Sequence, residues 1–210
     1  MRDGEAVPLF SKVFYENVLT DDLDFKNITN IVSQQEFKVS RSIVQPEDNL
    51  TESTTCFDLL ENKNLKVLKD KILSEFCYFK NKFLRYEKID FGLTTSWATK
   101  SEPNECSNLH NHTNCFYSGI FYLSVNDESG DIFFVDYTDN RIGDLTIDDY
   151  NIFNSKSWQW TPKKGMLIFF PSSVYHRILR NESSKTRYSI AFNFMPLGVI
   201  GDGDSQFIYK

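Results

Sequence analysis

The sequence is poor in histidine and cysteine, and it lacks long apolar runs. Its 210 residues include three histidines and four cysteines. No run reaches the about 18 apolar residues that a membrane-spanning helix needs. Residues 1–5 lack the apolar core of a secretory signal, so we expect none. The net charge of −6 provides no basic surface, which argues against nonspecific nucleic-acid binding.

The cysteines show no CxxC spacing, which argues against a redox motif. They stand at positions 56, 77, 106 and 115. We therefore expect reduced thiols in a cytoplasmic protein. Apolar residues make up 40% and aromatic residues 15% of the chain, which is enough for a buried core. Residues 1–210 are predicted to form one domain.

The first 90 residues are predicted to support a β-rich core. Residues 8–19 suggest an early strand, and residues 26–56 are polar enough to suggest loops with short strands. A helix is predicted from Asn62 to Tyr86, because its apolar residues recur every three or four positions. This stripe consists of Leu65, Leu68, Ile72, Phe76, Phe79 and Phe83.

From residue 91 the apolar period changes from 3.6 to two, which indicates strands separated by turns. The predicted strands are 91–99, 118–125, 131–136, 156–160, 166–170, 173–179 and 187–194. Several short strands after one long helix favour a mainly β fold with a supporting α-helix, a double-stranded β-helix or jelly roll. Residues 91–197 would form this core, and residues 198–210 a tail or an interface arm.

The three histidines suggest a metal site. His110 and His112 are two residues apart, a spacing that places both imidazoles on one face of a strand. His176 follows far downstream. Imidazole binds zinc, copper and iron, and all three metals stay open at this point.

Arg187 and Ser189 begin the last predicted strand and point to the same face. Arginine can grip a carboxylate through two hydrogen bonds, and a hydroxyl two residues later adds a donor. A carboxylate cosubstrate between the metal and Arg187 is one interpretation. An ordinary ion pair at the mouth of the barrel is the other.

The order of these motifs resembles a known family. His-x-His is followed by Ser-Gly-Ile-Phe-Tyr-Leu, Gly-Asp-Ile-Phe-Phe, Gly-x-Leu-Ile-Phe-Phe-Pro, a distal His and Arg-x-Ser. From about residue 93 to the C-terminus, the chain resembles the Fe(II)/2-oxoglutarate-dependent oxygenases. Within them it is similar to the prolyl-4-hydroxylase-like branch, and closest to oxygenases of bacteria and cyanobacterial phages. A phage-encoded protein would act in the host cytoplasm.

The resemblance implies a role for each matching residue. His110, His112 and His176 would bind Fe(II). Arg187, Ser189 and Tyr122 would hold the far carboxylate of the cosubstrate 2-oxoglutarate (2OG). Asn193, which follows on the strand of Arg187, would also face this pocket.

One position departs from the family pattern, because His112 stands where relatives carry Asp or Glu. A carboxylate in the 2-His-1-carboxylate triad neutralises charge on Fe(II), so three imidazoles leave the metal more positive. Alternatively, His112 is not a ligand, and Asp136 or another acid takes its place. A zinc site that uses Cys106 and Cys115 is a further alternative.

The resemblance implies an enzyme that couples 2OG decarboxylation to oxidation of a substrate C–H bond. Hydroxylation is the default outcome, and a prolyl residue of a protein is the leading substrate. The expected partners are 2OG, dioxygen and a substrate that could be a protein or peptide, with no nucleic acid or membrane. Two alternatives stay open: a three-histidine cupin-type dioxygenase without 2OG, and a non-catalytic metal-binding protein of a phage or bacterium. The oligomeric state stays open.

Overall fold

The computed structural model describes residues 4–39, 50–138 and 145–209. Two α-helices and twelve strands occur in this part of the chain. The helices are α1 (Phe25–Ser33) and α2 (Lys66–Lys82). The strands are β1 (Tyr15–Val18), β2 (Phe37–Val39), β3 (Glu52–Thr54), β4 (Phe91–Ser101), β5 (Tyr117–Ser124), β6 (Ile132–Val135), β7 (Ser157–Trp160), β8 (Met166–Pro171), β9 (Tyr175–Ile178), β10 (Arg187–Pro196), β11 (Gly198–Ile200) and β12 (Phe207–Tyr209).

Two antiparallel sheets form the double-stranded β-helix. The larger sheet has seven strands in the order β1-β8-β5-β10-β4-β3-β2, and the smaller has the order β7-β6-β9. All seven strands predicted after residue 90 are present, with ends that differ from the prediction by at most two residues. The predicted mainly β fold class is confirmed, and the polar site lies between the sheets.

Helix α2 packs its apolar stripe on the outer face of the larger sheet. The Phe76 ring stacks on Phe194 of β10, with 3.8 Å between the ring centroids. Full burial of such a side chain contributes about 1.5–3 kcal/mol to folding. The predicted helix was too long at both ends. Phe83 lies just beyond the last helical residue, and it is exposed rather than part of the buried stripe.

Helix α1 corrects the prediction of loops for residues 26–56. The Asp24 carboxylate accepts a hydrogen bond from the backbone N–H of Asn27 and caps the helix. Phe25, Ile28 and Val32 lie on one face, and the last two are buried. The predicted short strands of this region are present as β2 and β3, while residues 40–49 lie outside the described part.

The early strand is shorter than the predicted residues 8–19, because only β1 pairs with β8. Tyr15 lies opposite Phe169, and β8 ends two residues later at Pro171. Proline has no backbone N–H to donate, so the ladder cannot continue to residues further towards the N-terminus. At the other end of the chain, the predicted tail contains a hairpin of β11 and β12. No helix of the described residues is long and apolar enough to cross a membrane.

Candidate metal and carboxylate site

The fold brings the three histidines together. One ring nitrogen of each of His110, His112 and His176 lies within 4.8 Å of the corresponding atoms of the other two. His176 is on β9, and the other two lie in the segment that precedes β5. The spacing predicted a regular strand here, but the segment is not one. It forms a single antiparallel bridge in which His110 and His176 exchange backbone hydrogen bonds of 3.0 and 2.7 Å.

Hydrogen bonds fix which ring nitrogen each histidine directs to the centre of the cluster. His110 Nδ1 lies 2.9 Å from the carbonyl oxygen of Asn108, and His176 Nδ1 lies 3.0 Å from that of Val174. A carbonyl oxygen only accepts, so both Nδ1 atoms carry the proton. In the neutral ring Nε2 then keeps a free lone pair, which is the form of imidazole that binds a metal.

The cluster is electrostatically suited to neutral imidazoles. Burial, followed by the neighbouring His110 and His112, lowers the pKa of His176 to about 3. Burial also lowers the pKa of His112. Both rings are therefore uncharged at neutral pH and need not lose a proton to bind a metal.

Within the described residues, no acid or cysteine joins the three histidines as a metal-binding group. Asp136, the alternative acid, lies 2.5 Å from Lys12 Nζ and accepts hydrogen bonds from Thr138. Cys115 points its thiol at a backbone carbonyl, and Cys106 is outside the cluster. The Cys/His zinc alternative is therefore wrong for this part of the chain.

Arg187, Tyr122 and Ser189 form a second polar group, buried between the sheets. Each is at most 1% exposed. Ser189 lies opposite Tyr122 across the β10–β5 ladder, and the Arg187 guanidinium carbon is 5.0 Å from the centre of the Tyr122 ring. The Nη1 atom of Arg187 donates to the backbone carbonyl of Gly130 at 2.5 Å. Arg187 is thus held against the loop that joins β5 to β6.

This buried group has hydrogen-bond donors without acceptors. Arg187 Nε and Nη2 and the Tyr122 hydroxyl make no hydrogen bond of good geometry among the described residues, although the guanidinium and the hydroxyl are close enough to influence each other's pKa. Burial raises the pKa of Tyr122 to about 12, so its hydroxyl stays protonated and can donate. No salt bridge of Arg187 occurs among the described residues. Asp131, the acid whose charge reaches the guanidinium, accepts hydrogen bonds from Gln159 and Thr161 instead, which argues against the ordinary ion pair. An unpaired buried guanidinium is costly, and a carboxylate would satisfy all three donors.

An apolar cluster between the two sheets joins the two polar groups. Tyr122 belongs to it, and Phe170, another member, packs on the His176 ring at 4.8 Å. The other buried members are Ile120, Ile132, Met166, Ile168 and Ala191. An enclosed apolar surrounding strengthens electrostatic contacts to a bound anion or metal.

Asn193 lies at the metal end of this space and not beside Arg187. Its Oδ1 is 2.9 Å from His112 Nδ1 and 2.7 Å from the Ser118 hydroxyl. The residue pattern did not predict a role for Ser118, Thr95 and Ser172, because single hydroxyls on two strands and in the turn after β8 form no motif. The ring centroid of Trp97 lies 5.5 Å from that of His112.

A family model agrees with this geometry. Residues 95–193 match the model described as "Putative 2OG-Fe(II) oxygenase". The chain is a member of the 2OG-Fe(II) oxygenase superfamily. This oxygenase is an enzyme of a class that uses Fe(II) and 2OG, and both fit the two polar groups described above. Among curated proteins, none matches its sequence.

Solved structures share the fold of this oxygenase at low sequence identity. A prolyl-4-hydroxylase from Pseudomonas putida gives a TM-score of 0.58 and 14% identity, covering 88% of this chain and 93% of that one. A prolyl hydroxylase from Trichoplax adhaerens, in complex with a hypoxia-inducible-factor peptide, gives 0.61 and 12%, with coverages of 87% and 83%. The viral collagen prolyl hydroxylase of Paramecium Bursaria Chlorella virus-1 gives 0.54 and 14%, with 86% and 94%.

Proposed function

We propose that this oxygenase hydroxylates a peptide substrate, with its two polar groups in separate roles. His110, His112 and His176 would hold Fe(II), while Arg187, Tyr122 and Ser189 would hold the far carboxylate of 2OG. The unpartnered donors of Arg187 and Tyr122 carry this proposal, because a buried guanidinium with no described acid in hydrogen-bond contact favours binding of an anion. A cupin-type enzyme without 2OG would have no use for them.

When bound, iron and 2OG would supply the oxidising chemistry, with dioxygen as the oxidant: one oxygen atom enters 2OG, which leaves as succinate and CO2, and the other converts a substrate C–H bond to C–OH. The protein's own residues contribute position and environment. The histidines present Nε2 towards the metal, and the Arg187 fork orients the cosubstrate. The aromatic and aliphatic cluster around them limits access of water.

A groove of about 750 Å³ next to the histidines supports a peptide as substrate. Phe134 and Phe170 line it, and both rings also contact His176. Phe14, Phe153 and Trp160 extend its apolar lining away from the metal end. A prolyl residue is our leading target, because a proline ring packs well on aromatic faces and the similar folds include prolyl hydroxylases.

The cosubstrate role is tested by anaerobic titration of the Fe(II)-loaded protein with 2OG, following the charge-transfer band of the chelate. We expect Arg187→Ala to weaken 2OG binding by about 30-fold or more, since truncating a buried charged partner costs 2–5 kcal/mol. Iron affinity should stay unchanged, which also shows that the variant folds. Arg177→Ala is the matched control, because it removes the same charge from an exposed position on β9.

Arg187→Lys separates charge from geometry and should bind 2OG with intermediate affinity. In air, wild-type protein with a suitable peptide should release succinate. Wild-type 2OG affinity in Arg187→Ala would contradict the cosubstrate role. Oxygen uptake without succinate would support the cupin-type alternative.

The substrate role is tested with proline-containing peptides and their alanine-substituted partners, scored by mass spectrometry for addition of one oxygen atom. Phe153→Ala, in the groove, should raise the peptide KM and leave the iron–2OG chelate unchanged. Tyr150→Ala removes a similarly exposed ring outside the groove lining and serves as the control. Equal peptide kinetics in both variants would place the substrate elsewhere.

We also propose a cytoplasmic location. All four cysteines are free in the structure, and two of them lie close in sequence to the histidine pair. Reduced thiols of this kind suit a reducing compartment.

A further inference from the structure

A hydrogen-bond network behind His112 sets it apart from the other two histidines. His110 and His176 bond to backbone carbonyls, whereas His112 Nδ1 faces the side chains of Asn193 and Ser118, at 2.9 and 2.8 Å. Ser118 also contacts the hydroxyl of Ser172 at 2.8 Å. Both serines are completely buried.

The network determines which nitrogen of His112 is protonated. Asn193 Nδ2 donates to Thr95 Oγ1 at 3.0 Å, which turns Asn193 Oδ1 towards His112. This Oδ1 also accepts from the Ser118 hydroxyl at 2.7 Å. An amide oxygen cannot donate, and two facing lone pairs at 2.9 Å would repel each other. His112 Nδ1 therefore carries the proton, and its Nε2 is free for the metal.

We infer that Asn193 is a positioning residue for His112, oriented in turn by Thr95, and that it does not hold 2OG. The inference rests on the proposed role of His112 as a metal ligand. It assigns a function to the departure from the family pattern. Where relatives use a carboxylate, this chain uses an imidazole whose outer nitrogen is held by a neutral side-chain acceptor. Residues that orient a ligand in this way typically contribute 10–100-fold to metal affinity.

A double-mutant cycle on metal affinity, without 2OG, tests the inference. Co(II) is the probe, titrated into the wild type, Asn193→Ala, His112→Ala and the double variant. We expect Asn193→Ala to weaken Co(II) binding by about 10–100-fold in the wild-type background. In the His112→Ala background the same change should have no effect, because the ligand that it positions is gone. Equal effects in both backgrounds would mean a merely structural role and overturn the inference.

Asn193→Asp and Thr95→Val complete the series. Asp keeps an acceptor for His112 Nδ1 and should restore Co(II) affinity. Thr95→Val leaves Asn193 in place but removes the acceptor that orients its amide, so a smaller loss is expected. Failure of Asn193→Asp to bind better than Asn193→Ala would contradict the inference.

The metal-free protein offers an independent readout. Nitrogen NMR shifts report the tautomer of each histidine, and His112 should be protonated at Nδ1 in the wild type. In Asn193→Ala this preference should weaken at His112 only, since His110 and His176 bond to backbone carbonyls and act as internal controls. An unchanged His112 tautomer would overturn the inference.

The outcomes separate this inference from the proposed function. Raised 2OG Kd in Asn193→Ala at saturating Co(II), with unchanged Co(II) affinity, would return Asn193 to the cosubstrate. Intact metal coupling without 2OG turnover would contradict the proposed function alone. A wild-type chain that binds no Co(II) would overturn both.

Discussion

The two polar groups of the site differ in how their hydrogen bonds are satisfied. At the metal end, each histidine Nδ1 already has an acceptor within the protein. At the anion end, Arg187 and Tyr122 retain buried donors without acceptors among the described residues. Under the proposed roles, the first end needs only a cation to be complete, and the second needs an anion. Hydrogen bonds thus orient the histidine rings in advance at one end, whereas the buried positive charge at the other end has no hydrogen-bonded acid within the described part of the chain.

The largest expected effect is at the metal end. His176→Ala removes the most deeply buried histidine of the three, so we expect loss of measurable Fe(II) or Co(II) binding. Calorimetric titration of the metal measures this loss. Retention of wild-type affinity would place the metal at another site and end the comparison.

A smaller effect is expected at the anion end from Tyr122→Phe. The variant keeps the ring under the guanidinium and removes only the hydroxyl donor. A hydrogen bond to a charged group contributes about 1.5–3 kcal/mol, so 2OG should bind about 10–150-fold more weakly. The anaerobic chelate titration reports it, with metal affinity as the internal control. An unchanged 2OG affinity would remove Tyr122 from the carboxylate contacts.

The pH dependence of metal-free stability sharpens the comparison further. The pKa of His176 is about 3 in the folded protein and near 6.5 when unfolded, so below pH 6.5 the unfolded chain takes up a proton that the native ring refuses. The contribution of His176 to the free energy of unfolding is fully present above pH 6.5. It should fall by about 1.4 kcal/mol per pH unit between pH 6.5 and about pH 3. His112 acts in the same direction.

Urea unfolding between pH 7 and 5, in wild type and His176→Gln, measures this contribution. The variant should show a flatter dependence, because it lacks the proton uptake in the unfolded state. Identical slopes would mean that His176 is not held neutral by burial.

The last prediction is that the two cysteines near the histidines have no effect on metal affinity. Replacing both Cys106 and Cys115 with serine should leave metal affinity at the wild-type value, since neither thiol joins the histidine cluster. A clear loss of Zn(II) or Co(II) affinity would restore the Cys/His alternative.

The periodicity of the apolar residues and the order of the motifs predicted the core of this fold well. The strands after residue 90 are short apolar or alternating runs between clear turn signals, and burial on one or both faces leaves little freedom in the register of the central ones. The grouping of His110, His112 and His176 followed from residue chemistry, and the pocket formed by Arg187, Tyr122 and Ser189 from the resemblance. Helix α1 was missed although Asp24 caps it and Phe25, Ile28 and Val32 share one face. The helix is short and mostly polar, so its few apolar residues did not stand out as an amphipathic pattern.

The contacts of Asn193 could not be predicted from sequence. Alternation on β10 placed its side chain on the same face as Arg187 and Ser189, which is correct. Which of the two polar ends it serves depends on the partners across the ladder, Ser118 on β5 and Thr95 on β4. The contacts of Asn193 depend on the register between neighbouring strands, and a single sequence does not reveal that register.

The contact of Arg187 with the carbonyl of Gly130 has an entropic consequence for ligand binding. A free arginine side chain carries about 2 kcal/mol of rotamer entropy, and here folding has already removed it. An arriving dicarboxylate therefore does not need to immobilise its arginine. The loss of rotamer entropy occurred when the chain folded, so it lowers the stability of the ligand-free protein. An anion that fits the site should therefore raise the melting temperature.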